Sequence, residues 1–445
     1  MKTMQGLCAI AMFAIAGAAA ARCTSGNTGI CYVDGVQGTR KCMDGEWGEC
    51  MLPPPPPPKV YGIKARYKVL TVIYAPPGTT GGGSSSSVTY GSGSAFGSTT
   101  SSTNAFNQSY AVSASTTFGT NTGTTANFSY SRNTSNTRAI DLNKATGVTI
   151  TAFGPAADGI DHNRDQIWLW LNPRLQLSLS NAAGQWSVPS QTMEVVYVYA
   201  GHLKDPLSMP RGVKDRLAAA GIYEPEYPEI LKADPYAAAT LTTVDAERYK
   251  TLNTTFPYEP PYSPGDPIPT YGYAASYSST TSSSSSRTNT YSTGFTVETG
   301  VDLAFLQAKL SNQNQWTWTD TDTRSTSSTT SESAQVTLGG PSYGYTGPTS
   351  IGVYYDTLYK SFLFLPVTGA VQLKGSLRSS GNEPVAGREV VLTGADGVEH
   401  RTYTNARGEY RFIDAVDGPA TISAAGERRT VQRAAMARSV DLVIP

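Results

Sequence analysis

The chain has 445 residues, and its 34 basic and 34 acidic side chains give a formal net charge of zero. This balance excludes the basic patch that nucleic-acid binding requires, and no polybasic segment indicates binding to anionic lipids. The length leaves room for two or three domains.

The first 21 residues predict a secretory signal peptide. Met1 and Lys2 form a short positive region, Leu7–Ile15 an apolar core, and Ala18–Ala21 a cleavage site of small residues. The apolar run is shorter than the about 20 residues that a transmembrane helix needs, and the other apolar runs have the length of strands. We therefore expect an exported protein, secreted or at the cell surface, without a spanning helix.

Four cysteines follow the predicted signal and favour two disulfide bonds over a zinc site. No C-x-x-C pair or nearby histidine supports zinc, and sequence alone leaves three disulfide connectivities open. Lipidation of Cys23 is the other alternative, although Arg22 stands where a lipobox has a small residue. The predicted disulfide residues are Cys23, Cys31, Cys42 and Cys50.

These cysteines belong to a predicted module of residues 23–50. The pattern G-x-x-x-C-x-x-G-x-W-G-x-C from Gly38 to Cys50 resembles small disulfide modules of bacterial exported proteins. The resemblance implies a stalk or interaction role. The uninterrupted prolines Pro53–Pro58 then predict a stiff spacer of roughly 19 Å within a linker of residues 51–59.

The predicted body, residues 60–368, contains two stretches rich in Ser and Thr. No charged residue lies between Lys68 and Arg132, and Tyr277–Leu338 repeats this composition. Apolar and hydroxyl residues alternate with a period of two, which predicts strands with one apolar face. If these strands line a membrane barrel, the apolar positions face lipid. The predicted lipid-facing residues are Tyr110, Val112, Phe118, Phe295, Val297 and Val301.

The segments Tyr291–Leu306 and Trp316–Thr330 resemble strands of aerolysin-like and epsilon-toxin-like β-pore-forming proteins. The resemblance implies that a soluble sheet rearranges into a membrane barrel. This chain departs from the pattern because it has two such stretches, where that family inserts one hairpin. The alternative interpretation is a Ser/Thr-rich β structure in an extended surface protein.

The centre of the body has ordinary core strands and a short helical insert. Strands are predicted at Tyr67–Tyr74, Gln166–Leu171 and Met193–Tyr199, and helices at Arg211–Ala220 and Asp245–Leu252. We expect Trp168 and Trp170, which share one strand face, to be core residues. Trp316 and Trp318 form a second such pair.

One acidic segment predicts a calcium site. Alternate oxygen ligands at positions 161, 163 and 165 can converge on a hard cation. The segment departs from the EF-hand pattern, because Gln166 replaces the required glycine, and polar turns ahead of a strand are the alternative. The predicted ligands are Asp158, Asp161, Asn163 and Asp165.

Gly340–Gly344 matches the nucleophile-elbow pattern G-x-S-x-G with Ser342 at its centre. That motif needs a following helix, but Tyr345 to Pro348 cannot start one. Only three histidines occur in the chain, and His400 is the only one after Ser342. We expect a turn without catalysis.

Residues 369–445 change character, with glycines between short alternating strands. The segment Thr404–Phe412 carries a T-x-x-x-G-x-Y-x-F pattern and resembles the carboxypeptidase regulatory-like domain. The resemblance implies a non-catalytic β-sandwich of the transthyretin and carbohydrate-binding-like class, appended as a structural or adhesive module.

Together these features predict a mostly β, multidomain, non-enzymatic protein. The specific hypothesis is a β-pore-forming protein, with homo-oligomers. The alternative is a secreted adhesin or a surface protein that binds a carbohydrate or a protein. The expected partner is a membrane or cell-surface component such as a glycan. No cofactor is required, and calcium is the one hypothesised ligand.

Overall fold

The computed structural model describes residues 23–54, 59–80, 86–90, 107–113, 132–135, 149–180, 183–187, 194–279, 288–293, 295–299, 316–322, 330–413, 418–431 and 438–445. The chain forms two compact units, Met1–Pro58 and Lys59–Pro445. The predicted signal peptide lies outside the described residues. Regular structure is mostly β in several sheets, which confirms the predicted fold class.

The first unit contains a three-stranded antiparallel sheet of β1 (Thr28–Val33), β2 (Val36–Met43) and β3 (Glu46–Trp47). Two interleaved disulfides, Cys23–Cys42 and Cys31–Cys50, cross-link it. All four cysteines are therefore paired. The structure thus selects one of the three connectivities that the sequence left open.

The second unit begins with a three-stranded ribbon. We use this term for three chain segments that each contribute one strand to each of two successive sheets, and we call the two sheets the levels of the ribbon. β4 (Lys59–Ala65) runs into β5 (Tyr67–Ile73), β10 (Gln166–Leu171) into β11 (Arg174–Ser180), and β12 (Ala183–Ser187) into β13 (Glu194–Tyr199). One sheet has the order β13-β10-β5. The other has the order β12-β11-β4-β17, in which β17 (Phe295–Thr299) adds a fourth strand at the edge. The three chain segments therefore keep their order from one level to the next.

A four-stranded ribbon is built in the same way. One level orders its strands β15-β19-β6-β9, and the other orders them β16-β18-β7-β8. Each strand of the first level is connected in sequence to the strand at the same place in the second. The strands are β6 (Ser87–Tyr90), β7 (Asn107–Ser113), β8 (Arg132–Ser135), β9 (Ile150–Phe153), β15 (Thr270–Ser279), β16 (Thr288–Thr293), β18 (Trp316–Asp322) and β19 (Thr330–Gly339).

Two apolar cores pack against the opposite faces of the sheet of β5, β10 and β13. The alternation of side chains along β10 places Ile167, Leu169 and Leu171 in one core and Trp168 and Trp170 in the other. Both tryptophans are buried, as the shared strand face predicted. The strand is buried on both faces, which explains its continuous apolar sequence.

The helical insert covers the first of these cores. It consists of α1 (Ala200–Lys204), α2 (Arg211–Ala219) and α3 (Tyr227–Leu231). The predicted helix at Arg211–Ala220 is confirmed, but the predicted helix at Asp245–Leu252 is wrong.

At that second position the chain makes a turn and enters β14 (Tyr249–Pro257). Tyr249 is fully buried, and three threonines follow it along the strand. Threonine is β-branched and favours a strand that has a partner. Pairing with β20 (Ser350–Asp356) therefore outweighs the local preference for a helix.

The C-terminal residues form a β-sandwich with its own apolar core. One of its sheets also contains body strands, in the order β21-β20-β14-β24-β23-β26-β27, and the other contains β25, β22, β28 and β29. β14 meets β24 at the pair Thr254 and Arg401. The predicted domain boundary at residue 369 stays a prediction. The strands are β21 (Ser361–Pro366), β22 (Leu373–Ser379), β23 (Glu389–Gly394), β24 (Glu399–Tyr403), β25 (Glu409–Phe412), β26 (Ala420–Ala424), β27 (Glu427–Val431), β28 (Arg438–Ser439) and β29 (Leu442–Ile444).

Candidate binding cleft

An open cleft of about 610 Å³ lies where three connecting segments meet. Residues 258–269 connect β14 to β15, residues 340–349 connect β19 to β20, and residues 404–408 connect β24 to β25. The first two segments come from the body and the third from the sandwich. Both parts of the second unit are therefore needed to form the cleft.

Prolines shape the first of these segments. Pro has no backbone N–H and a fixed φ, so a proline-rich segment cannot join a sheet and keeps few conformations. The hydroxyl of Tyr258 holds the segment in place, since it donates to the carbonyl of Gly78 and accepts from the N–H of Gly159 at 2.8 Å. The prolines that line the cleft are Pro257, Pro260, Pro261, Pro267 and Pro269.

A network of polar side chains joins the body to the sandwich within the cleft. Glu259 forms an ion pair with Arg411, and Arg411 also donates to Thr349 Oγ1 at 3.1 Å. The side-chain amide of Asn405 donates to Glu259 Oε2 at 2.6 Å and to Glu409 Oε2 at 3.1 Å. Burial lowers the pKa of Arg411. These planar groups are thus held in fixed positions before any ligand binds.

An exposed aromatic ring stands beside this network. Tyr262 is 72% exposed, and the guanidinium carbon of Arg407 lies 4.0 Å from its ring centre. Arg407 also forms an ion pair with Glu409. Tyr262 therefore presents a supported apolar surface next to charged and amide groups. This segment was not predicted as a site from the sequence, although Tyr, Glu and Asp side chains recur among its prolines.

The structure places the predicted calcium ligands in different environments. Asp158 joins two loops, because Ser342 donates to it through its hydroxyl and its N–H, and Thr80 also donates through both groups. Burial acts to raise the pKa of Asp158, but the hydrogen bonds from Ser342 and Thr80 outweigh it and lower the pKa. The carboxylate of Asp158 is therefore occupied by protein donors.

The other three predicted ligands also have partners. Asp161 accepts from the N–H of Asn163 at 3.0 Å and caps a 3-10 turn, and Asn163 Oδ1 accepts from Lys204. Asp165 is fully buried and bonds to the N–H of Ala75 at 2.7 Å. Among the described residues, no group of three or more His, Cys, Asp or Glu side chains is arranged to hold a metal ion. Calcium binding stays a prediction.

Ser342 lies in a turn, as predicted from the residues that follow it. No helix follows, since residues 343–344 form a turn and residue 347 a bend before β20. Its hydroxyl donates to Asp158, so it ties the loop after β19 to the loop after β9. The match to G-x-S-x-G is accounted for by this structural hydrogen bond.

The predicted lipid-facing residues fall into two sheets. Tyr110 and Val112 lie in β7, whereas Phe295 and Val297 lie in β17 (Phe295–Thr299), which pairs with β4. Phe118 and Val301 lie outside the described residues. The orientation of these residues towards lipid stays a prediction. No helix in the described ranges is long and apolar enough to cross a membrane.

Register places charged residues on the same face as Tyr110. Tyr110 is directly opposite Asp320 on one side and Arg132 on the other, and Val112 is opposite Trp318. Opposite residues of neighbouring strands share a face. This face therefore combines aromatic, apolar and charged positions in the sheet that the structure describes.

Comparisons with known proteins give no family for this chain. No protein-family model matches it, and no curated protein matches its sequence. Among solved structures, a form of the major pilin subunit of Bacillus cereus, BcpA, is 13% identical over 29% of this chain, with a TM-score of 0.15. The pilus 2b backbone protein of group B streptococcus is 13% identical over 43% of this chain and 89% of its own, with a TM-score of 0.14.

A further structure of BcpA is 9% identical over 81% of this chain and 99% of its own, with a TM-score of 0.15. The match to the first form of BcpA spans 48% of that pilin's length. TM-scores at this level do not establish a shared fold. The functional argument therefore depends on the cleft and the sheets of this protein alone.

Proposed function

We propose that this protein is an exported, non-enzymatic binding protein, such as an adhesin, whose cleft takes a carbohydrate of a cell surface. The observation that carries the proposal is the exposed ring of Tyr262 beside the fixed polar network of Glu259 and Arg411. The predicted signal peptide supports export.

Carbohydrates present two kinds of surface, and the cleft has a counterpart for each. The apolar C–H face of a sugar ring stacks on an aromatic ring, while its hydroxyls exchange hydrogen bonds with carboxylate, amide and guanidinium groups. Small-molecule sites are typically apolar clefts with a few fixed polar groups. Tyr262, Asn405 and Arg407 provide this combination, and the prolines around them limit the conformational entropy lost on binding.

A panel of neutral glycans, with affinity measured by calorimetry, tests this proposal. We expect one class to bind, and Tyr262→Ala to weaken its binding by at least about tenfold through the loss of the stacking surface. Tyr223→Ala is the matched control, because Tyr223 is 58% exposed and does not line the cleft. Equal affinities for the two variants, or no binding of any glycan, contradict the proposal.

The ribbon topology favours a second candidate, a membrane-active protein. Ten residue pairs join β15 to β19, and six join β16 to β18. The last pair of the first sheet and the nearest pair of the second are separated by the same number of residues on both chain segments of this hairpin. Such matched register is what a single long hairpin requires. β7 adds Ser/Thr-rich sequence from the other stretch to the same sheet.

Release of dye from liposomes tests the second candidate. If the strands insert, Val112→Arg should abolish release, since arginine at a lipid-facing midplane position costs about 2–4 kcal/mol. Ser113→Arg, on the opposite face, is the matched control and should retain release. If the wild-type protein leaves liposomes of every tested composition intact, the membrane-active function is wrong and the binding protein remains.

A further inference from the structure

A second concave site, distinct from the cleft, lies beside the start of the helical insert. It has a volume of about 360 Å³ and lies between the 3-10 turn His162–Arg164 and α1. It shares no lining residue with the cleft. The side chains that matter are Arg164, Tyr199, His202, Lys204 and Asp205.

Positive groups outnumber negative ones in this pocket. Arg164 and Lys204 bring two positive charges to it, and Asp205 is the one carboxylate among the lining residues. Asp205 already accepts from the N–H of Leu207 at 3.3 Å. The Arg164 guanidinium reinforces the effect of burial in lowering the pKa of His202, which indicates a positive local potential.

Arg164 has unused hydrogen-bonding capacity. Its Nε is buried without a hydrogen-bond partner, and it makes no ion pair within the described ranges. A buried donor that lacks a partner is destabilising. A bound oxyanion relieves this if the Arg164 side chain turns so that Nε faces the pocket. Guanidinium groups match carboxylate and sulfate oxygens in pairs. The pocket is therefore suited to an anionic group.

A row of aromatic rings extends from the pocket along β13. The guanidinium carbon of Arg164 lies 4.6 Å from the Tyr199 ring centre, and Tyr197 lies 5.6 Å further on, between centroids. Trp168 packs against Tyr197 with 5.1 Å between centroids. Tyr197 is 39% exposed, so this row offers a partly open apolar surface next to the positive charges.

We infer that this pocket binds an acidic saccharide, with its carboxylate or sulfate against Arg164 and Lys204 and its ring against the exposed ring of Tyr197. This site selects a negatively charged ligand, whereas the cleft is proposed to take a neutral glycan. The inference holds or fails independently of the carbohydrate proposed for the cleft.

Calorimetry on the full chain, together with the NMR signal of the His202 ring, tests the inference. The probes are sodium glucuronate, glucose 6-sulfate, neutral glucose and inorganic sulfate. We expect both acidic sugars to bind at least tenfold more tightly than glucose and to shift the His202 ring signal. Whichever acidic sugar binds more tightly identifies the acid group.

Two substitutions make the test specific. Arg164→Gln and Lys204→Gln should each weaken binding of the acidic sugar by tenfold or more. Lys204 is exposed, and the hydrogen bond that its side chain makes within the described residues, to Asn163 Oδ1, is exposed as well. Arg211→Gln is the control, since its side chain is 94% exposed and lies outside the pocket. Equal binding of glucose and glucuronate, or equal affinities for Lys204→Gln and Arg211→Gln, overturns the inference. Glucose 6-sulfate that binds no more tightly than inorganic sulfate overturns the saccharide assignment.

Discussion

Two regions of the second unit bury aspartates in opposite ways. Asp356 is fully buried and faces Arg248, whose Nη2 lies 2.8 Å from Asp356 Oδ2. Asp165 and Asp234 are also fully buried, and neither has an arginine or lysine partner in the described structure. Asp165 Oδ2 lies 2.7 Å from Nδ1 of His162, and burial lowers the pKa of this histidine, which favours its neutral form. The difference shows that a buried carboxylate is stabilised either by a fixed cation or by remaining protonated.

The pKa directions follow from these surroundings. Burial acts to lower the pKa of Arg248, but the charge of Asp356 raises it. Burial raises the pKa of Asp234 well above its ordinary value, and the neighbouring Asp165 raises it further. Burial also raises the pKa of Asp165, although the hydrogen bond from the N–H of Ala75 acts to lower it. The first region thus contains an ion pair and the second a pair of carboxyl groups that favour the protonated form.

Removing the cation is expected to have the largest effect. Arg248→Met leaves Asp356 buried without its charge partner and removes a hydrogen bond to the carbonyl of Ala233. We expect the free energy of unfolding to fall by about 3–5 kcal/mol, as when one partner of a buried ion pair is lost. Urea denaturation measures this. Arg211→Met is the matched control, because its ion pair with Asp215 is exposed and contributes little. Equal losses in both variants contradict the ion-pair interpretation.

Asp234→Asn tests the carboxyl pair through pH. Asp234 Oδ1 accepts from the N–H groups of Tyr236 and Ala237, while Oδ2 has no hydrogen-bond partner among the described residues, so an amide keeps the first contacts. Because the folded pKa is raised, the wild-type protein loses stability as pH rises from the ordinary value of 3.8 through the folded pKa. The variant lacks the part of this loss that Asp234 contributes, which is about 1.4 kcal/mol for each pH unit by which the folded pKa of Asp234 exceeds its ordinary value.

The measurement is the free energy of unfolding of both proteins between pH 4 and 9. Relative to the wild type, Asp234→Asn should gain stability as pH rises. A difference that stays constant with pH would show that Asp234 is ionised in the folded protein. Lys214→Gln, an exposed change, should leave the pH dependence unaltered.

A smaller effect is expected at Asp158, the carboxylate that hydroxyl and N–H donors surround. Ser342→Ala removes one hydrogen bond to Asp158 and keeps the backbone donor. We expect a loss of about 1 kcal/mol in stability, measured by thermal unfolding. Ser263→Ala is the control, since the hydrogen bonds of Ser263 in the described structure use its backbone N–H and carbonyl, which alanine keeps. No difference between the two variants would remove the loop-tying role of Ser342.

Calcium is expected to have the smallest effect. Asp158 and Asp165 already bond to protein groups, so an ion competes with these contacts. When calcium equals its Kd, the gain in stability is about 0.4 kcal/mol. Melting temperatures with calcium and with a chelator measure the gain, and Asp161→Asn should abolish it. Identical melting curves remove calcium from this loop.

Sequence by itself determined the local features of this protein. An apolar run located the strand at Tyr67–Tyr74, and alternation located the strand at Met193–Tyr199. The helix at Arg211–Ala220 was located as well. The cysteine spacing predicted the disulfide module. These features follow from side-chain periodicity and chain stiffness, which act over a few residues.

Only the tertiary structure decided which strands pair and which polar residues meet. The order of the two ribbons, the disulfide connectivity and the contact of Ser342 with Asp158 join residues far apart in sequence. The aspartates of the 158–165 segment look equivalent in sequence, but burial separates Asp158 from Asp165. The cleft likewise combines the body with the sandwich, because Glu259 and Arg411 become neighbours only after β14 meets β24. Desolvation and pairing depend on the whole fold, and no local pattern encodes them.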